Sequence, residues 1–550
     1  MTIHSVFRHF RCSTLPIASL LLVSISFSAF VSKAAAQDVV KKEIVNQELV
    51  TQEAIPQKAI PQKAISQEAV AQKANSNELQ SNQSSSSQQQ TKQSSNDEWA
   101  DFGTFDAVDN GDVSEEQQKA NETNDEFSDA FSSDWGDASW SSESDTSNVP
   151  SLSGFAEIAI GNRFTSDPAL DTRSTLRDAR IQLRSDYKLS TSSFSGKVDF
   201  WYDGVKSQWE SQVRELAWQG SLSSVFSGAD ADGPTWAQAF DLKIGRQVLT
   251  WGTGDYVFLN DLFPKDYQSF FAGRDDEYLK APSTAVKLSG YFDIANIDLV
   301  YMPEFEPDIG ITGEVFSFYN PQAKQNVAPA FTVSEQNRPN NSELALRIYR
   351  NIAGVEFAAY GYKGFTKQPT AFDESGQPRY SKMNAFGASA VTPLGKGIAN
   401  AEYVFYNSLE DVDGTNPFIA NDQSRFLLGY SQELVPNVMG GVQWYTEYTH
   451  DSEGLDRIFD TPESVQEKYR HWVTTRLTWM ALRQTLTLNG FLFYSPSDDD
   501  GYFKTTVTYS PTDKWQIRGG FNVFKGNQPF TFWGQFEDAS NAYVAYRYFF

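Results

Sequence analysis

Polar and apolar positions alternate along most of the chain, in runs of about ten residues that begin near Leu152 and recur to the C-terminus. Gly154 to Ile160 (GFAEIAI), Ala179 to Tyr187 (ARIQLRSDY), Phe194 to Tyr202 (FSGKVDFWY), Phe503 to Tyr509 (FKTTVTY) and Trp515 to Phe521 (WQIRGGF) show the pattern. A period of two places successive side chains on opposite faces of a strand. Many runs begin or end in Tyr, Phe or Trp, the arrangement a strand needs to cross a bilayer with its rings at the headgroup boundary.

About 18 such runs occur, starting near residues 152, 175, 193, 209, 236, 283, 294, 342, 352, 379, 398, 423, 438, 469, 484, 502, 514 and 541. Their connections alternate in length. Short joins at Thr191, Asp293, Asn351, Pro393, Pro436, Leu482 and Pro511 are interleaved with long ones at 250–282, 303–341, 362–378, 409–422, 449–468 and 525–540. Long loops at one rim and short turns at the other are the expectation for a transmembrane barrel. Two joins break the rule, because 206–208 is short where a loop is due and 221–235 is long where a turn is due, so one strand between Trp209 and Trp236 is expected to be misplaced. The pattern predicts an all-β fold over 151–550: a transmembrane antiparallel β-barrel of 16–18 strands. That size gives an aqueous lumen, and the connections 250–282 and 303–341 are the candidates to fold inward and narrow it.

Beyond the first forty residues no apolar run is long enough for a membrane-spanning helix. The first 36 residues read as an export signal: Arg8 and Arg11 precede an apolar stretch from Leu15 to Val31, and Ala34 to Ala36 offer a small-residue cleavage site. Cleavage there removes Cys12, the single cysteine, together with His4 and His9. The remaining His450 and His471 are too few for a histidine metal cluster, so neither a metal nor another cofactor is expected. His450, Asp451 and Ser452 are adjacent in sequence, and adjacent residues rarely converge as a triad, so no catalytic residue is assigned and an enzyme is not expected.

Residues 37–150 are a different polymer. A proline-containing pentapeptide array, first unit Gln52 to Pro56, passes into Ser/Gln-rich sequence that buries too little apolar surface to fold, and is read as a disordered tether. Residues 97–145 are acidic but carry Trp99, Phe102, Phe127, Phe131, Trp135 and Trp140. Two readings stay open for them: rings that dock a periplasmic or inner-membrane partner, or a solvated acidic linker. The net charge of −25 excludes nucleic acid as a partner.

Alternation turns Arg425, Arg470, Arg476, Lys504, Arg518 and Arg547 toward the lumen, beside Thr474, Thr506, Gln516 and Asn541 and with few carboxylates on the same faces. On earlier strands Arg180, Arg184, Lys197, Lys243 and Arg347 accompany Asp178, Asp186, Asp199, Asp241 and Glu343, able to pair across strands. The late arginines either raise the local concentration of anions or join a general ion network in the lumen.

The final strand, Tyr543 to Phe550, alternates aromatics and ends in Phe550. Here the chain resembles bacterial outer-membrane barrels. The resemblance implies a Gram-negative outer membrane with its lipid as surroundings, an N-terminal tail in the periplasm, and an assembly signal at Tyr546, Tyr548 and Phe550 for the barrel-assembly machinery. A second stretch, Gly245, Arg246 and Gln247, then Trp251 and Gly252, Asn260 and Asp261, Pro264 and Asp266, resembles that of 18-stranded porin-like barrels related to the alginate-export porins. It implies a channel for passive or export transport of small or linear solutes, anions among them. A surface-anchoring barrel, or an export-complex barrel whose acidic-aromatic tail docks a periplasmic partner, is the alternative.

Overall fold

Hydrogen bonding between neighbouring runs turns this alternation into a wall with two chemically distinct faces. The computed structural model describes residues 150–550 apart from 190, 228–233, 321–322, 329–330, 374, 417 and 453–467. The export signal, the pentapeptide array and the six tail rings from Trp99 to Trp140 lie outside the described residues.

The barrel strands are β1 (Ser151–Arg163), β2 (Ser174–Lys188), β3 (Ser192–Asp203), β4 (Gln208–Ser221), β5 (Phe240–Val248), β6 (Pro282–Gly290), β7 (Asn296–Met302), β8 (Glu343–Ile352) and β9 (Val355–Phe365). They continue with β10 (Lys382–Leu394), β11 (Gly397–Ser408), β12 (Gln423–Val435), β13 (Val438–Thr449), β14 (Tyr469–Ala481), β15 (Leu486–Ser495), β16 (Asp500–Thr512), β17 (Trp515–Gly526) and β18 (Asn541–Phe549). All belong to one 18-stranded antiparallel sheet. β1 pairs with β18 from Phe155↔Phe549 to Arg163↔Asn541, which closes the ring. Gly154 and Phe550 exchange backbone hydrogen bonds of 2.9 and 3.0 Å at the end of that seam. Closure leaves no unpaired edge, the condition for a sheet in hydrocarbon.

The two faces differ sharply. In β1, Ile158 is 65% exposed and Ala159 is 2% exposed. Outward positions such as Ile181, Phe200, Leu428, Leu477 and Val544 form an exposed apolar band, while Arg180, Gln443, Lys504 and Arg547 turn inward and are buried. Rings flank the band: Trp515 stacks at 5.0 Å on Tyr546 and lies 4.5 Å from Tyr548 near the short-turn rim, and Tyr202 meets Trp209 at 5.4 Å near the other. A closed barrel of even strand number with such a band is the outer-membrane architecture.

Both irregular joins are real, and neither displaces a strand. β3 and β4 are joined by the tight turn 204–207, and the join between β4 and β5 contains a short helix, Leu222–Ser227, and a 3-10 turn, Thr235–Ala239. The expected misplacement is thereby corrected: Trp236 stands in that turn and β5 begins at Phe240. The insertion carries an exposed row of rings, with Trp236 between Phe226 (5.7 Å) and Phe240 (6.5 Å), and Phe292 5.4 Å from Phe240. The last two close over Gly290, where a Cβ would sit 2.8 and 2.9 Å from their ring atoms.

Candidate functional site: the inward-folded connection

The connection between β5 and β6, residues 249–281, is too apolar to stand in water. Leu249, Val257, Leu259, Phe263, Phe270 and Phe271 are buried in the main hydrophobic cluster, together with inward residues of the wall such as Tyr502, Phe524 and Leu427. Within it Asp266 caps the helix Tyr267–Ala272 by accepting from Ser269 N at 2.8 Å. The helix ends at Gly273, in the left-handed conformation (φ 85°), where a Cβ would lie 2.1 Å from the Tyr543 ring. Only glycine lets the connection lie this close to β18.

The residues of the 245–266 motif build this path. A Cβ on Gly245 (φ 130°) would lie 2.2 Å from Leu216 O. Arg246 points outward and grips both carboxylate oxygens of Glu306 at 3.0 Å, and Gln247 donates to Ala285 O at 3.2 Å. Trp251 packs edge-on against Phe263 at 5.0 Å. Gly252 (φ 88°) approaches Glu402, and a Cβ added at Gly252 would lie 3.2 Å from the Glu402 carboxylate. The Glu402 carboxylate accepts from Asn260 Nδ2 and Thr253 Oγ1, both at 2.8 Å, and from Thr253 N. Asp261 pairs with Lys265 at 2.8 Å and Pro264 O accepts from Ala281 N at 3.0 Å.

The connection reaches opposite walls. Arg274 pairs with Asp178 of β2 at 2.7 Å and Tyr406 of β11 donates to Leu259 O at 2.5 Å. β2 and β11 lie nine places apart around an 18-strand ring, so these anchors span its diameter. Asn522 and Asn541 both donate to Phe271 O at 3.1 Å on the wall between them.

The six inward cations of the late strands are all paired. Arg425 meets Glu447 at 3.1 Å, Arg470 meets Asp498 at 2.7 Å and Arg476 meets Asp255 at 3.2 Å. Lys504 meets Asp276, and Arg518 and Arg547 share Asp275 (3.4 and 3.1 Å) and Glu157 (3.6 and 2.8 Å). This corrects the expectation of few carboxylates near them. Asp255, Asp275 and Asp276 arrive from the connection, whose path strand alternation does not encode. On the early strands Arg180 pairs with Asp199 at 2.7 Å and Arg184 with Asp186 at 2.8 Å, whereas Lys197, Lys243 and Arg347 reach Glu277, Glu215 and Glu356, carboxylates outside the set expected beside them.

On the long-loop side of the connection lies a cavity of about 920 Å³, whose wall includes Lys265, Tyr406, Arg425, Arg470, Trp472 and Phe532. Asp308, from the connection between β7 and β8, joins this wall and accepts from Lys265 N at 2.8 Å. Burial pushes its carboxyl up to about 6, against the pull of the Lys265 and Lys367 ammonium groups. At the outer face of the wall, Ser424 Oγ and His450 Nε2 are 3.0 Å apart. The imidazole otherwise packs on Phe405 and Tyr448, and no carboxylate is hydrogen-bonded to it among the described residues.

Structural neighbours are bacterial outer-membrane porins. A variant of a Rh. blastica porin is 11% identical, with 73% of this chain and 100% of the porin covered and a TM-score of 0.33. A loop-deleted OmpT of Vibrio cholerae is 12% identical over 73% and 99% of the two chains, with a TM-score of 0.34. OccAB3 of Acinetobacter baumannii is 11% identical over 73% and 99%, with a TM-score of 0.43. The likeness is one of barrel fold alone, and the assignment as a transmembrane barrel rests on this chain's own strands and faces. No protein-family profile and no curated protein matches the chain.

Proposed function

We propose that the chain forms a passive outer-membrane diffusion channel whose lumen is narrowed by residues 249–281. The observation that carries this reading is the connection anchored on both β2 and β11, with the 920 Å³ cavity on its long-loop side. β1 begins and β18 ends at the short-turn rim, so that rim faces the periplasm and the cavity opens outward. Because the late-strand cations are paired, the channel sorts solutes by size and by contacts at the cavity wall more than by net charge. Planar-bilayer recording of the refolded barrel tests this. Stepwise insertion of ion-conducting units is the expected result, and a folded, heat-modifiable barrel that conducts nothing would leave a sealed, surface-anchoring barrel in its place.

A further inference from the structure

One small device recurs four times around the cavity. A cation is held by a carboxylate and lies over an aromatic ring. Lys265 pairs with Asp261 at 2.8 Å and stands 4.7 Å from the Phe258 centroid. Lys367 pairs with Glu343 at 2.6 Å and stands 5.0 Å from Phe305. Arg425 pairs with Glu447 at 3.1 Å over Tyr406 at 4.5 Å, and Arg470 pairs with Asp498 at 2.7 Å over Trp472 at 5.0 Å. All four cations line the cavity, and so do Asp261, Phe258, Glu447, Tyr406 and Trp472, whereas Glu343, Phe305 and Asp498 are not among its lining residues. The cations come from the inward-folded connection, the connection between β9 and β10 and two strands, so the repeat is not a product of strand alternation.

The Lys265 and Arg425 devices each offer the cavity an apolar ring beside a donor and an acceptor, and the Arg470 device a ring and a donor, with no net charge in any of the pairs. A free anion must break a direct ion pair to gain a guanidinium, and a zwitterion must break one at each end; both steps leave a carboxylate or a cation without its partner. A hydrocarbon would cover the polar edges without replacing their hydrogen bonds to water. A solute with a C–H face and a rim of hydroxyls fits without either penalty. Its hydroxyls donate to Glu447 and accept from Arg425 or Arg470 while those pairs stay closed, and its apolar face lies on a ring. The volume falls in the range of about 300 to 1,000 Å³ typical of ligand cavities, room for a few sugar rings.

We infer that the outer cavity is a binding site for neutral oligosaccharides, loaded before passage through the constriction. This rests on the channel reading for passage, though not for binding. The test has two arms. In planar bilayers, a glucose-to-hexaose glucan series on the long-loop side should block current in a saturable way that tightens with length. Trp472→Leu and Phe532→Leu should each raise the half-blocking concentration about five- to ten-fold, the loss of one ring contact with its buried area, with block read as a fraction of each variant's own open-channel current. Glu447→Gln, which keeps the shape of the pair, should weaken block as well. In detergent, calorimetric titration of the full-length protein with the same glucans reads binding without conduction. Binding without conductance would overturn the channel and leave the site. Conductance with neither block nor calorimetric binding would overturn the site and leave the channel, and stronger block by oligoglucuronate than by the neutral glucan would show that an anion is preferred and overturn the inference.

Discussion

Two long connections leave adjacent hairpins of this barrel and reach different places. Residues 249–281 cross the lumen, whereas 303–342 pack against them, with Ile309 N donating to Lys265 O at 2.8 Å and Phe316 6.3 Å from Phe271, and also bind the rim, where Glu306 meets the outward Arg246, Glu314 meets Lys206 of the tight turn at 3.2 Å, and Tyr319 N donates to Gln535 at 3.3 Å. Both are acidic and both carry rings. The difference lies in which cations their carboxylates can meet. Asp255, Asp275 and Asp276 find arginines and a lysine on the inner face of β14 to β18, while Glu306 and Glu314 find theirs on the rim. The cations on the inner face of β14 to β18 thus hold the carboxylates of 249–281, and close approach at Gly273 lets that connection seat.

The largest test of this contrast removes each connection in turn. Replacing 253–276 by a short Gly/Ser linker should raise single-channel conductance several-fold, as expected when the narrowest section of a pore is widened. Excision of 318–327, which bears the rim hairpin Phe318–Asn320 with Gln325–Val327, should leave it within about a third of the parent value. Equal effects would erase the distinction.

Next is the anchor at Glu402. Glu402→Leu removes the acceptor for Thr253 N, Thr253 Oγ1 and Asn260, leaving buried donors unmet, and should cost roughly 2 to 4 kcal/mol. Thermal melting with tryptic mapping would show it as a lowered Tm and new cleavage at Lys265 or Arg274. The rim equivalent, Glu306→Gln, should cost about 1 kcal/mol or less because the Arg246 pair is partly exposed.

A charge swap sharpens the comparison further. Arg476→Gln should move the reversal potential in a salt gradient toward cation preference, Asp255→Asn should move it the other way, and the double variant should return close to the parent, because the two charges face each other at 3.2 Å. A double variant that keeps the shift of either single variant would mean that the two charges do not offset each other in the lumen.

The smallest effect concerns pH. Asp308 has its folded pKa at about 6, above the ordinary carboxylate value, so the native state binds the proton more tightly than the unfolded chain does. Its contribution to stability is therefore complete below about pH 4 and is lost as pH rises through 6. Acidification through the same window also removes one negative charge from the cavity wall, shifting ion preference modestly toward anions. Asp308→Asn should abolish that shift, as recorded by reversal potentials between pH 5 and 7.

Much of the barrel was legible in the sequence because a strand in a bilayer obeys a strict period, and a one-residue slip would put charge into lipid. Starts inferred near 423, 438, 469 and 541 coincide with those observed, and the remainder fall within a few residues. The inward orientation of Arg476 and Arg547 follows from the same rule. Their partners do not, because Asp255 and Asp275 are brought in by a connection whose course depends on Gly252, Gly273 and a capped helical turn. The 245–266 motif was visible as a pattern, but its work in shaping that course became clear only from Glu402, more than a hundred residues distant. The cavity was hidden for a similar cause: Lys265, Lys367, Arg425 and Arg470 come from elements with no common spacing.

The insertion between β4 and β5 gives the short-turn rim one sector unlike the rest. Phe226 and Trp236 stay exposed in the join, and Phe292 of the next turn stays exposed against Phe240, so a row of rings stands there in place of a plain turn. Rings of this kind settle at the boundary between headgroups and hydrocarbon. The barrel's grip on its leaflet is then uneven around the circumference, with the firmest hold beside the join that is long where a short one is due.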